Sequence, residues 1–276
     1  MRKESLIIFT PFLVLILLYA SLVEPYNPEL IQKTLFYQDL PYSLDNLKII
    51  HLSDFHCRGF TLRERRMIET IEREKPDFVF FTGDFLERDQ WLSSCENLIW
   101  QIFQKNQNFF GVFGNHDHQI NTSIQKLEEI FEKRGIIILV NESQEIKFRG
   151  DIFYLIGVDD PYLNYDNLEV ALENVQEDKF KILLSHSPAI FLKNQKLIQD
   201  NKINLILAGH THGGQINIPF LTNFIISLWL GGKYPAGLFE EDGTFIYVNR
   251  GLGTFHLFPL RLNSPPEITL ITLKRR

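Results

Sequence analysis

The sequence predicts an α/β sandwich, and three observations carry that prediction. From residue 48 onward, short apolar runs alternate with segments of helical pattern; such alternation builds a sheet covered by helices. Some runs, such as Phe78-Val79-Phe80-Phe81-Thr82, are continuously apolar, as in strands buried on both faces. Five of the runs lead directly into an acid, an amide or an imidazole. Open α/β sheets bind their ligands at that carboxyl end of the strands. The chain has 276 residues, of which 45% are hydrophobic, enough for one large domain or two small ones.

Composition removes several functional classes. The net charge is −6 and no basic stripe runs along the chain, so a nucleic-acid partner is not expected. Cys57 and Cys95 are the only cysteines; they make neither a disulfide framework nor a thiolate metal site.

Arg2 and Lys3 precede an apolar run from Leu6 to Val23, roughly the minimum that spans a bilayer. No small-residue cleavage pattern follows it, so an uncleaved membrane anchor over residues 1–24 is expected rather than a signal peptide. The basic residues before the run and Glu24 and Glu29 after it favour an N-terminus inside and a main domain outside. Residues 25–46, with Pro25, Pro28 and Pro41, read as a linker with extended pieces. The globular domain is expected over 47–276.

Within that domain, Lys48 to Ser53 is a predicted strand ending in Asp54-Phe55-His56. A helix from Leu62 to Glu74 is capped by Thr61 and stopped by Pro76. The strand Phe78 to Thr82 ends in Gly83-Asp84. A helix over about 90–103 precedes the strand Phe109 to Phe113, which ends in Gly114-Asn115-His116-Asp117. Asn121 is expected to cap a helix reaching Arg134. Strands are expected over 136–140 and 146–157, then a loop at Gly157 to Pro161 and a short helix over 167–174. Lys181 to Ser185 is a strand ending in His186, with a helix from Pro188 to Gln199. Asn204 to Ala208 is a strand leading into Gly209-His210-Thr211-His212-Gly213-Gly214-Gln215. Strands near 244–249 and 267–273 close the chain.

The last of these loops frames the functional question. In an extended turn alternate side chains point the same way, so His210 and His212 can face one point, and the glycines keep bulk away from it. Imidazole suits zinc, iron and manganese. The other donors are Asp54, His56, Asp84, Asn115 and His186. Seven nitrogen and oxygen donors are too many for one tetrahedral ion and suit two ions that share a carboxylate. Each segment alone is a turn with a cap or a solvated histidine as readily as a ligand. Five together, each behind an apolar strand, point to a metal site.

The order Asp54-x-His56, Gly83-Asp84, Gly114-Asn115-His116-Asp117, His186, Gly209-His210-x-His212 resembles the calcineurin-like metallophosphoesterases, from about Lys48 to the C-terminus. The membrane-linked bacterial branch is the nearer likeness, on the N-terminal span, Val23-Glu24-Pro25, Gly213-Gly214-Gln215, and Asn249-Arg250-Gly251-Leu252-Gly253 leading to Pro265-Pro266-Glu267-Ile268. The resemblance implies a four-layer α/β/β/α sandwich behind an N-terminal transmembrane helix. It implies one divalent ion held by Asp54, His56, Asp84 and His212, and a second by Asp84, Asn115, His186 and His210. Manganese, iron or zinc fits these donors better than calcium. Two ions about 3.5–4 Å apart acidify a shared water and neutralise phosphate charge in an in-line displacement. His116 would protonate or stabilise the leaving oxygen. Asp117 either orients His116 or caps its turn.

Where the family has a single residue and then glycine after the first histidine, this chain has Cys57-Arg58-Gly59. Arg58 either reaches a substrate phosphate or is a solvated turn residue. Arg250, and likewise His256, either contacts the substrate or makes a structural ion pair. His51, His118 and Cys57 are expected to be structural. The apolar run Pro219 to Gly232 reads as a buried cap helix or as a lip touching lipid. The expected substrate is a phosphorylated lipid or envelope precursor; relatives resembling this chain include a hydrolase of UDP-2,3-diacylglucosamine. A broad extracytoplasmic phosphatase or phosphodiesterase, and a non-catalytic scaffold of the same fold, are the alternatives. The membrane is the expected partner and location, with the side of the catalytic domain left open.

Overall fold

A computed structural model describes residues 3–104, 108–218, 222, 233–255 and 259–276, excluding the side chains of residues 3–10 and 103. His256 and all of Pro219 to Gly232 except Thr222, the span expected to be a cap helix or lip, lie outside the described residues.

Two mixed six-stranded sheets form the centre. The first runs β1-β12-β2-β3-β4-β5 and the second β10-β11-β9-β8-β7-β6. In the first, β2 (Lys48–Leu52), β3 (Phe78–Thr82), β4 (Phe109–Val112) and β5 (Ile136–Ile138) are parallel neighbours. In the second, β7 (Asp151–Gly157), β8 (Phe180–Leu184), β9 (Leu205–Ala208) and β11 (Thr244–Val248) are parallel, with β6 (Glu142–Phe148) and β10 (Gly237–Glu241) antiparallel at the edges. The strands alternate their side chains between two apolar layers, as a period of two requires. Ile49, Phe80 and Val112 meet Leu155, Ile182 and Leu207 between the sheets. Ile50, Val79 and Phe81 instead face α2 (Leu62–Glu74), α3 (Leu92–Phe103) and α4 (Ile124–Glu132) through Met67, Ile99 and Phe131. Ile156, Leu183 and Ile206 pack outward against α5 (Leu168–Ala171), α6 (Ala189–Lys193) and α7 (Gln195–Asp200). The layers are therefore helix, sheet, sheet, helix, and the continuously apolar strands are those covered on both faces.

The segment 25–46 does more than connect. Glu29–Tyr37 form β1, which pairs in parallel with β12 (Glu267–Arg275) over nine residues and places Leu35 in the layer between the sheets. Its exposed edge face hides the alternation that marks a strand, and its partner lies at the far end of the chain. The run 146–157 is also two strands rather than one. Arg149 and Gly150 both take positive φ and turn β6 back onto β7, as two-residue hairpins require. Ser123, not Asn121, caps α4 by accepting the Lys126 amide.

At the start of the chain, α1 spans Lys3–Leu22. Among the described residues no helix is long and apolar enough to cross a membrane, so the fold does not by itself supply the expected transmembrane segment. What it shows is that Phe12, Leu13, Leu15, Leu17, Leu18 and Leu22 are exposed, while Ala20 is buried.

Candidate metal centre

The parallel strands deliver their loops to one rim. Asp54 and His56 follow β2, Asp84 follows β3, Asn115 and His116 follow β4, His186 follows β8, and His210 and His212 follow β9. Backbone bonds continue past the strands and lock these loops together. Asp54 N donates to Gly83 O (2.9 Å), His56 N to Asp84 O (3.0 Å), and Gly209 N to His186 O (2.8 Å). A Cβ on Gly209 would overlap Ser53 Oγ and Asp54 Oδ2, so only glycine lets the two sheets' loops approach this closely.

The backbone route differs from the one expected. Asp54, His56, Asp84, His210 and His212 all have φ between 43 and 71°. They aim inward from the left-handed region rather than by alternation along an extended turn. Non-glycine residues held there store about 1–3 kcal/mol each and cluster at functional sites.

The side chains converge in two groups. In the first, His56 Nε2 lies 3.1 Å from His212 Nε2, His212 Nε2 is 3.3 Å from Asp54 Oδ1, and His56 Nε2 is 3.6 Å from Asp84 Oδ2. In the second, His186 Nε2 lies 3.1 Å from both Asn115 Oδ1 and His210 Nδ1 and 3.4 Å from Asp84 Oδ2. Asp84 Oδ2 belongs to both groups. All seven donors expected from the sequence thus meet, and six of them are essentially enclosed, with His210 slightly less so.

The outer nitrogen of one imidazole is fixed by the backbone. His186 Nδ1 bonds the carbonyl of Thr82 at 2.8 Å, so Nδ1 carries a proton and Nε2 faces Asn115 Oδ1. That 3.1 Å spacing is closed either by a proton on Nε2 or by a cation between the two atoms. His56 Nδ1 lies 3.3 Å from Glu87 Oε1, near the carboxylate–histidine arrangement found behind metal-binding imidazoles but without hydrogen-bond geometry. Asp54 Oδ1 and His210 Nε2 are buried without a hydrogen-bond partner among the described residues. Ligand bonds of about 2.0–2.2 Å imply ligand-to-ligand spacings of about 3.0–3.6 Å, the range observed. The donor set fits two divalent cations.

The electrostatics agree. Burial alone would lower the His186 pKa, yet Asp84 and, behind it, Asp54 and Asp160 hold it well above its ordinary value: the pocket favours positive charge. Burial would raise Asp84, but His186, His116 and His56 keep it well below the usual carboxylate range. Burial and then the charge of His186 push His210 down to about 3, leaving a neutral imidazole.

His116 is half-buried at the mouth, its ring centre 5.0 Å from that of His56. Its backbone N–H donates to Asp84 Oδ1 at 2.8 Å. Asp117 does not serve it as an orienting carboxylate. Its oxygens accept the backbone N–H groups of Asp84, Gly114, Phe85 and Leu86, so it ties the loops after β3 and β4 together. Arg250 is likewise drawn away: Nε meets Glu267 Oε2 at 2.6 Å and Nη2 meets Glu29 Oε2 at 3.1 Å, the structural ion pair among the two alternatives. Arg58 stays beside the site, bonded to Glu87 and to the carbonyl of Thr254. His51 bonds Thr82 Oγ1 and His118 bonds Asp159, both structural as expected. Cys57 and Cys95 are buried free thiols.

Five neighbours escaped the sequence reading. Phe255 lies against His212, with ring centres 4.3 Å apart, and Tyr162 against His210 at 4.8 Å. Glu87 backs His56. Arg261, fully buried, donates to the carbonyls of Arg250, Gly251, Gly253 and Ser264 behind His212. Asp160 is fully buried, with Oδ1 lacking a hydrogen-bond partner among the described residues. Only Asp160 carried a usable signal, because it follows the apolar β7 as the other acids follow their strands.

Comparison with known proteins is consistent with this geometry. A family profile described as "Calcineurin-like phosphoesterase" matches residues 47–214. The uncharacterised metallophosphoesterase YkuE of Bacillus subtilis is 35% identical over 93% of this chain and 89% of its own length. Phosphodiesterase YaeI of Escherichia coli is 30% identical over 92% of each. A bovine protein named "Transmembrane protein with metallophosphoesterase domain" is 32% identical over 85% of this chain and 54% of its own.

Proposed function

Because the chain belongs to the calcineurin-like phosphoesterase family, a family of metal-dependent phosphoester hydrolases, we propose how its residues divide the work. Asp54, His56, Asp84 and His212 hold one divalent cation, and Asp84, Asn115, His186 and His210 hold the second. The observation that carries this assignment is the pair of donor groups joined at Asp84 Oδ2. The chemistry supplied by bound cations is acidification of a water and neutralisation of phosphate charge. Asp84 Oδ1 fixes the backbone of His116, and the His116 imidazole carries the proton to the leaving oxygen. Phe255 screens His56 and His212 from solvent. The convergence of all seven donors with His116 argues against a non-catalytic scaffold.

The substrate we favour is a phosphate ester or pyrophosphate of a membrane-embedded lipid or envelope precursor, with α1 as the anchor. Support comes from exposed apolar side chains. Those of α1 from Phe12 to Leu22 are mostly exposed, and Val23, Tyr26, Phe60, Leu62 and Ile218 are exposed as well. An apolar helix surface that is exposed among the described residues suits lipid better than water. The end of α1 is also tied to the His212 loop. Ala20 O accepts Arg261 N (2.9 Å), Glu24 Oε1 accepts Ser264 N (2.7 Å), and Ser264 Oγ donates to His212 O (3.1 Å). A helix in the bilayer would hold the metal centre near the headgroups. The second reading, a broad phosphodiesterase, is favoured by the likeness to Phosphodiesterase YaeI.

The deciding experiment is the full chain, reconstituted with manganese, iron or zinc, assayed on p-nitrophenyl phosphate, its bis ester, a phospholipid and UDP-2,3-diacylglucosamine in vesicles. Turnover confined to the amphiphiles supports the lipid reading. Rapid cleavage of the bis ester with no turnover of the amphiphiles supports the second. No hydrolysis with any metal sinks both.

A further inference from the structure

Beside the metal centre lies a cleft of about 80 Å³, several times the volume of about 10–15 Å³ that admits one water. Its lining includes Pro25 and Tyr26, just beyond the end of α1, together with His56, Arg58, Arg63 and Thr254. Two arginines thus line a cleft that also borders His56, a member of the first donor group.

The two arginines are not equivalent. Arg63 is fully engaged: it pairs with Glu64 and donates to the carbonyls of Leu252 and Phe55. Arg58 is held but not used up. Its Nη2 donates to Thr254 O at 2.8 Å and approaches Glu87 Oε2 only to 3.3 Å, while Trp91 lies 5.7 Å from its guanidinium carbon. Charge-assisted pairs normally close to about 2.7–2.9 Å. Glu87 is shared, since its other oxygen faces His56 Nδ1 at 3.3 Å. Arg58 Nε is buried with no hydrogen-bond partner among the described residues. A buried donor left unpaired is uncommon and calls for a ligand or a water, and a guanidinium fixed at one edge is pre-organised to bind an oxyanion at another.

We propose that this cleft is a second anion subsite, in which Arg58 binds a further phosphate group of the substrate, adjoining the phosphate that is hydrolysed at the metal pair. The proposal rests on the phosphoesterase reading and deepens it. The enzyme prefers substrates with two linked phosphates over simple monoesters. Because Pro25 and Tyr26 also line the cleft, that second phosphate sits where the chain leaves α1.

Two measurements test it. In the first, inorganic phosphate and inorganic pyrophosphate compete with p-nitrophenyl phosphate at fixed free metal concentration. Pyrophosphate should inhibit at least about 10-fold more strongly, as one extra charge-assisted hydrogen bond predicts. Arg58→Gln should erase most of that difference, and Arg58→Lys should restore part of it. Equal losses for both anions in Arg58→Gln, or none, would overturn the subsite. In the second, inorganic phosphate is titrated calorimetrically into the metal-free protein, where Asp54 and Asp84 repel anions from the cluster. Saturable binding that Arg58→Gln removes supports the cleft; its absence in the unmodified protein overturns it. This second measurement needs no turnover, so it decides the subsite even if the hydrolase reading fails.

Discussion

The Nε2 atoms of His56 and His212 face each other across 3.1 Å, although 156 residues separate them in the chain. One hangs from the first sheet and the other from the second. Nitrogens so placed are stable together only with a proton or a cation between them. Burial, then the charges of His56 and Arg261, hold the His212 pKa well below its ordinary value, so His212 is a neutral imidazole able to offer a lone pair. The sandwich is thus closed at this rim by polar side chains from both sheets.

Asp84 is the donor whose loss should be felt most, because Oδ2 faces both groups. Asp84→Ala is expected to lower bound metal from about two ions per chain to fewer than one, by elemental analysis. Chelation of the unmodified protein should lower its thermal midpoint, and added metal should restore it, since a ligand that binds only the folded state stabilises it. An Asp84→Ala protein that keeps two ions would refute the shared-carboxylate arrangement.

His116 and Asp117 are adjacent, and their variants should differ. His116→Ala is expected to keep its metal and fold while turnover falls by about 10²–10⁴, the usual worth of a general acid. Asp117→Asn keeps one of the two oxygens that each accept two backbone N–H groups and replaces the other with an NH2 donor facing N–H groups. It is expected to cost about 1–3 kcal/mol of stability, read as a lower urea midpoint. Turnover per metal-loaded, folded molecule should fall much less than in His116→Ala.

Gly209 offers a test that touches no donor. Its Cβ would collide with Ser53 Oγ and Asp54 Oδ2, so Gly209→Ala should displace Asp54 and weaken metal binding by at least about 10-fold, as loss of supporting geometry does elsewhere. Unchanged affinity in a metal titration would mean that the two sheets' loops do not need this closeness.

His51 makes stability depend on pH at a distance from the donors. Burial pushes its pKa from 6.5 down to about 3. Below pH 6.5 the unfolded chain takes up a proton that the folded chain refuses until about pH 3, so stability falls as pH falls through that window. In the metal-free protein, His51→Asn should flatten the decline of the urea midpoint between pH 7 and pH 4 relative to the unmodified chain. Parallel profiles would show that His51 is not held neutral.

Much of this was legible in the chain itself. Continuously apolar runs such as Phe78 to Thr82 identified strands covered on both faces, and the polar residue after each run identified the side chains that meet at one rim. That rule needs only the local pattern, so the meeting of Asp54, His56, Asp84, Asn115, His186, His210 and His212 was readable. Tertiary structure decided what the local pattern does not encode. It recruited Glu29–Tyr37 as a strand through a partner at the opposite end of the chain. It turned Asp117 onto loop amides and Arg250 onto Glu267 and Glu29, and it set Glu87 behind His56. The reason is physical: residue type and period fix which groups a strand presents, whereas the partner of a long charged side chain depends on which distant loop the packing of two sheets brings within about 3 Å of it.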